Sequence, residues 1–283
     1  MFLFKLAESF YWRDSKNFIL FYSFLKKIFV FFANIWFRIL FFRSPLYVRI
    51  GNSDPRIVVS LTSFPARINS VQYVLESIFR QTILPDRFIL YLSSNQFNDI
   101  SKIYDKFEKF SQRGLEIIFV DEDLGPHKKY FYAFQSFPNS KVITIDDDII
   151  YARDFIEMFI SETSECSVIA NIGCDYCFED DQAKFSEFRI PIGAGGIMYN
   201  IPQLNMSGLL EKKLISETSL FQDDLWLYFN NVKNNNSIFI RSNYKIIPIK
   251  SLSIFNSKFK LTDMNIDEGG NQSSYIKIKK ILF

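Results

Sequence analysis

Asp146-Asp147-Asp148 follows the run Lys141-Val-Ile-Thr-Ile145, whose β-branched residues predict a buried strand. Three carboxylates arriving together repel one another. A divalent cation relieves that conflict, because hard oxygen donors suit Mg²⁺ or Mn²⁺, and phosphate oxygens commonly complete such a shell. The triplet therefore reads either as a metal-diphosphate site or as an acidic, solvated turn. A second acidic pair, Asp223-Asp224, heads the apolar run Phe221 to Phe229. It either stabilises a helix N-terminus or supplies a general base oriented by its neighbour. Lys128 and Lys129, in Asp121-Glu-Asp-Leu-Gly-Pro-His-Lys-Lys-Tyr130, either neutralise phosphate or sit on a solvated helix. Arg67, in Thr62-Ser-Phe-Pro-Ala-Arg67, clamps an anion or makes a surface ion pair. Gly193-Ala-Gly-Gly196 lacks the dinucleotide spacing; it either lets a ligand approach backbone or forms a tight turn.

The elements needed to position these groups are legible. Strands are predicted at Ile57–Leu61, Arg87–Leu92, Leu115–Phe119, Lys141–Ile145, Val168–Ile172 and Ile197–Tyr199, with late candidates at Ser237–Arg241 and Tyr244–Ile249. Helices are predicted at Val71–Arg80, Ile103–Phe110, His127–Phe134, Phe155–Phe159 and Phe221–Phe229, while the last thirty residues read as polar and turn-rich. Alternation of this kind predicts an α/β fold with a mostly parallel sheet covered by helices on both faces. In such sheets ligands bind beyond the carboxyl ends of the strands, where the Asp triplet lies.

The 283 residues suffice for one catalytic domain, 51–283, and an appendage, 1–50. A net charge of +2 gives no field suited to nucleic acid. The first fifty residues nevertheless hold eight Lys or Arg against two Asp or Glu, together with 12 of the 33 Phe. Lys16, Ser23, Lys27, Asn34 and Arg38 form one helical stripe, opposite Phe18, Phe21, Leu25, Phe29, Phe32, Trp36 and Ile39. Lys26, Lys27 and Arg38 argue against a spanning helix, since each charge costs ~2.5–3.5 kcal/mol at a bilayer centre. The arm reads as an amphipathic helix suited to an anionic membrane surface, or as one packed on protein. The segment Ile276 to Phe283 reads as a basic-apolar tail able to touch the same surface. Three cysteines, with Cys174 and Cys177 in one C-x-x-C, read as incidental thiols of a reducing cytoplasm.

Five segments occur in one order: Leu61-Thr-Ser-Phe-Pro-Ala-Arg-Ile68, Asp123-Leu-Gly-Pro-His-Lys-Lys-Tyr130, Ile145-Asp-Asp-Asp-Ile149, Gly193-Ala-Gly-Gly-Ile197 and Asp223-Asp-Leu-Trp226. Together they resemble bacterial glycosyltransferases of the GT-A fold, similar to family 2 enzymes that build surface polysaccharides, over residues 57–271. The resemblance implies an Asp-x-Asp motif with Asp148 as direct metal ligand and Asp146 on metal or ribose. It implies Asp224 as base, beside Asp223, in an inverting transfer, and Gly195 and Gly196 along the donor sugar. It further implies a nucleotide-diphosphate sugar donor contacted by Thr62, Arg67, Lys128, Lys129, Asp146 and Asp147. The acceptor would be a glycan or lipid-linked hydroxyl of lipopolysaccharide or capsule type, reached from the inner face of the cell membrane. Many family members carry an Asp after the second strand to read the base. Here Leu92-Ser-Ser-Asn95 stands, leaving Asp121 and Asp123 to substitute. Two rivals use other logic: a metal-dependent phosphohydrolase or nucleotidyltransferase built on the same triplet, and a catalytically silent membrane-binding or scaffold protein.

Overall fold

The computed structural model describes residues 56–162, 165–179, 185–241, 247–248 and 270–283, with Phe32, Ile35 and Ile39 of the arm, each helical. The rest of the predicted arm helix, and residues 242–246, lie outside the described residues.

The body begins with β1 (Ile57–Thr62), α1 (Val71–Phe79), β2 (Arg87–Ser93), α2 (Ile100–Ser111), β3 (Leu115–Val120), α3 (Lys128–Ser136) and β4 (Lys141–Thr144). These four strands lie side by side in parallel, in the order β4-β1-β2-β3. Short β5 (Ile149–Ile150) and α4 (Phe155–Ile160) follow, then β6 (Val168–Ala170) and an antiparallel hairpin of β7 (Gly173–Glu179) and β8 (Phe185–Pro191). Next come β9 (Ile197–Asn200), α5 (Lys212–Thr218), α6 (Asp223–Lys233), β10 (Ile238–Ile240), β11 (Ile247–Pro248) and α7 (Gly270–Leu282). The main sheet runs β10-β6-β9-β4-β1-β2-β3, and only β9 opposes its neighbours β4 and β6. β5 pairs with β11 apart from it.

Strand alternation divides the interior into two layers. On one side Val59, Leu61, Phe88, Leu90 and Ile143 pack under α1, α2 and α4; on the other Val58, Ile89, Tyr91 and Val142 pack under α3, α5, α6 and α7. The strands of a sheet covered on both faces are near-continuous apolar runs, as β1 and β2 are.

Four sequence expectations need correction. The fourth strand ends at Thr144, so Ile145 already belongs to the loop carrying the triplet. The helix predicted from Phe221 starts at Asp223 and continues to Lys233. The hairpin was not anticipated, although the aromatic residues Tyr176 and Phe178 recur at the strand period of two between Asp175 and Glu179. Of the last thirty residues, 254–269 lie outside the described residues, and Gly270–Leu282 is a helix rather than turn-rich, because Ser274, Tyr275, Ile278 and Leu282 recur at helical spacing and are buried against the domain.

Candidate active site at the ends of β1 and β4

The triplet leaves β4 where predicted, at the carboxyl edge of the sheet. Asp146 N–H donates to the hydroxyl of buried Tyr151 at 2.9 Å, which fixes the first turn of the loop. Asp147 points inward. Its carboxylate accepts from Ser63 Oγ at 2.6 Å and from Arg67 Nη1 at 2.8 Å, both on the loop after β1. Arg67 also reaches Asp148 Oδ2 at 3.0 Å, but the Asp148 side chain keeps 40% of its surface open. The middle carboxylate is thus an anchor between two loops, while the third faces outward.

Lys129 occupies the centre. Ser60 Oγ, buried in β1, donates to the Lys129 carbonyl and pins the first turn of α3 to the sheet. The Lys129 ammonium lies 2.6 Å from Asp146 Oδ1 and 2.9 Å from Asp223 Oδ2. Burial alone would lower its pKa, yet Asp146, Asp223 and Asp224 together hold it well above the ordinary value. Asp224 accepts the Gly193 N–H on both oxygens, at 3.1 and 3.2 Å. A Cβ at Gly193 would meet Lys129 Nζ at 3.0 Å, Asp146 Oδ1 at 3.1 Å and Asp224 Oδ1 at 3.3 Å. The distant segments of the sequence therefore do meet, around one glycine.

Their electrostatics differ. Burial raises Asp223, but Lys129 opposes it and the net pKa is lowered. Burial raises Asp224 as well, and repulsion from Asp223 adds to it, leaving that carboxyl well above the usual range. A carboxyl so tuned holds a proton more strongly than an exposed aspartate and can exchange one with a bound hydroxyl as acid or base. Partial desolvation at the mouth of the loop, with repulsion from Asp146 and Asp147, also lifts Asp148, to about 6, against the pull of Arg67.

Not every predicted residue joins this cluster. Thr62 Oγ1 donates to the Tyr91 carbonyl at 2.8 Å, tying β1 to β2. Lys128 pairs with Asp123. Asp121 lines an open cleft of about 290 Å³ with Phe119, Val120, Glu122, Tyr132 and Lys212, at the end of β3. Gly195 and Gly196 serve packing: an added Cβ would strike Ile172 at 2.6 Å or Phe155 at 2.5 Å, and Gly196 has φ +77°. Gly193 is the member of its segment that faces the carboxylates. Cys174 and Cys177 are exposed on a strand, where an offset of three puts them on opposite faces and out of reach of a shared ligand.

Sequence reasoning passed over Ser63, Tyr151 and His127 as site-shaping groups. His127 is fully buried. Its Nε2–H donates to the Ser219 carbonyl at 2.7 Å, just before α6, and Nδ1 accepts from Tyr130 at 2.8 Å. It thereby clamps the approach of α6 to that of α3. Being the only histidine was its one visible signal.

Among the described residues no three Asp, Glu, His or Cys converge to cage a metal. A diphosphate-bridging cation needs only one or two protein carboxylates. Asp146 and Asp148 are hard donors of the right kind in a cluster of five carboxylates, Asp146, Asp147, Asp148, Asp223 and Asp224, that Arg67 and Lys129 leave under-neutralised. The donor chemistry fits Mg²⁺ or Mn²⁺.

No protein-family model matches the sequence, and no curated protein matches it. Among solved structures, it is similar to a mannosyltransferase from Pyrobaculum calidifontis in complex with GDP-Man and Mn²⁺ (TM-score 0.47, 12% identity, 76% of this chain and 65% of that one). It is similar to S. aureus TarS in complex with UDP (TM-score 0.47, 13% identity, 68% and 59%). A 4-diphosphocytidyl-2C-methyl-D-erythritol synthase from Anaerococcus prevotii has the same TM-score, 0.47, at 13% identity over 71% and 94%. The chain thus spans less than two thirds of the length of the first two, 65% and 59%. These overlaps concern the α/β layout; the chemistry is read from the site.

Proposed function

We propose that this protein is a glycosyltransferase that moves a sugar from a nucleotide-diphosphate donor to a hydroxyl of a bacterial surface glycan, with inversion. The observation that carries this reading is the seat of Asp224 on the Gly193 amide, directly across from Asp146 and Lys129. A phosphohydrolase or nucleotidyltransferase built on the triplet would leave that seat without a purpose.

Asp148 and Asp146 would hold a divalent cation, which when bound supplies positive charge to the departing diphosphate. Arg67 keeps Asp147 and Asp148 in place, and Lys129 adds fixed positive charge beside Asp146. Lys129 also keeps Asp223 ionised, and that charge raises the proton affinity of Asp224. Asp224 takes the acceptor hydroxyl proton as the oxygen bonds to the anomeric carbon. The bond from that carbon to phosphate oxygen breaks, and the nucleoside diphosphate leaves with the electron pair. The basic, aromatic arm would keep the enzyme at the inner face of the membrane, near a lipid-linked acceptor.

Product analysis with a panel of nucleotide sugars tests this. Free nucleoside diphosphate and an extended glycan are expected; nucleoside monophosphate with sugar phosphate would overturn the assignment. Asp148→Ala should abolish transfer and weaken the Mn²⁺-dependent thermal shift by nucleoside diphosphates. Asp224→Asn should lower turnover about 10²–10⁴-fold while keeping that shift. Full activity in either variant counts against its role.

A further inference from the structure

The C-terminal helix has two faces of different character. Ser274, Tyr275, Ile278 and Leu282 are buried, and Ser274 Oγ donates to Gln222 Oε1 at 2.8 Å, one residue before the acidic pair of α6. The opposite face is exposed and carries Ile276 (55%), Lys277, Lys280 and Ile281 (41%). These residues fall within one arc at about 100° per residue. Ile276 and Ile281 stand in water, interleaved with lysines. No Asp or Glu occurs anywhere in α7. Exposed branched apolar groups among basic ones, with no acid, complement a surface that is apolar beneath and anionic above.

We propose that the outer face of α7 docks on an anionic lipid surface, with Ile276 and Ile281 entering the acyl boundary and Lys277 and Lys280 meeting lipid phosphates. Because the inner face of α7 is bonded to the start of α6, docking holds the Asp224 end of the cleft beside the bilayer. The acceptor class this favours is a sugar hydroxyl presented at the lipid headgroups. That last step rests on the transferase reading; the docking itself does not.

The test is flotation of the full chain on phosphatidylcholine vesicles with and without phosphatidylglycerol, at low and high salt. Wild type should float only with the anionic lipid, and less at high salt. Lys277→Glu/Lys280→Glu and, separately, Ile276→Ser/Ile281→Ser should each lower the bound fraction roughly tenfold. Both pairs are solvent-exposed, and unchanged thermal melts and nucleoside-diphosphate shifts would show the fold and donor site intact. Wild-type flotation by the variants, no flotation by wild type, or loss of flotation accompanied by a dimer becoming monomer would overturn the proposal, the last by making a second copy the occupant. Failed flotation with intact nucleotide binding removes the docking claim, and with it the membrane role of the arm, but leaves the transferase claim standing. Absent nucleotide binding with intact flotation removes only the transferase claim.

Discussion

Gly193 and Gly196 stand three residues apart and do opposite jobs. Gly193 has its hydrogen turned toward Lys129, Asp146 and Asp224, whereas Gly196 lies against Phe155 in a positive-φ conformation that disfavours any side chain. Gly193→Ala should therefore lower turnover about 100-fold by displacing the carboxylates, with little change in melting temperature. Gly196→Ala should instead destabilise the fold, and a thermal melt beside a rate measurement separates the two. His127 gives a pH signature. Its burial lowers its pKa to about 4, so the folded state stays neutral where the unfolded imidazole, near 6.5, takes up a proton. Stability is thus complete above about 6.5 and falls as the pH drops toward 4, by roughly 3 kcal/mol. Urea midpoints measured across that window should show this slope in wild type and lose it in His127→Phe. An identical slope in the variant would assign it to the carboxylates.

At the scale of elements, the junction of α1 with the turn from α2 into β3 depends on one buried acid. Glu76 accepts from Arg80 Nε at 2.6 Å and from Arg113 Nη1 at 2.7 Å, and Arg113 lies 4.2 Å over the Phe79 ring. Glu76 and Arg113 side chains are 1% and 5% exposed, so the pair is desolvated. Glu76→Ala should cost about 3–5 kcal/mol in urea denaturation, since it strands a buried guanidinium. A Glu76→Leu/Arg113→Met double variant should recover most of that loss, because removing both charges leaves none unpaired. Equal instability in the single and double variants would show that packing, not charge, holds the junction.

At the scale of the whole molecule, the late segments close over the second half of the sheet through aromatic contacts. Tyr275 of α7 stacks on Phe178 of the hairpin at 4.5 Å and 10°, and meets Phe229 of α6 at 5.5 Å. It is 2% exposed. Tyr275→Ala should cost about 3–5 kcal/mol and open the β7–β8 hairpin to protease. Cleavage elsewhere first would show that the hairpin does not depend on α7. Among the described residues no helix is long and apolar enough to cross a membrane.

The first half of the body was legible because its strands and helices follow one another with short connections and unmixed periods. Short, near-continuous apolar and β-branched runs and the amphipathic pattern of α1 and α2 place β1 to β4 and the strand-end position of the triplet. The hairpin, the opposed direction of β9 and the helical C-terminus were not legible. β7 and α7 carry local periods, but the direction of β9 and the stacking of Phe178 on Tyr275 depend on partners far along the chain, of which local pattern holds no record. Residue types alone determined that carboxylates, lysines and a glycine-rich stretch were available for phosphate and proton chemistry. Only tertiary structure decided that Asp147 turns inward, that Gly193 rather than its neighbours meets Asp224, and that Lys129 stands between the two acidic groups, since these outcomes depend on distances across the fold that one-dimensional spacing does not contain.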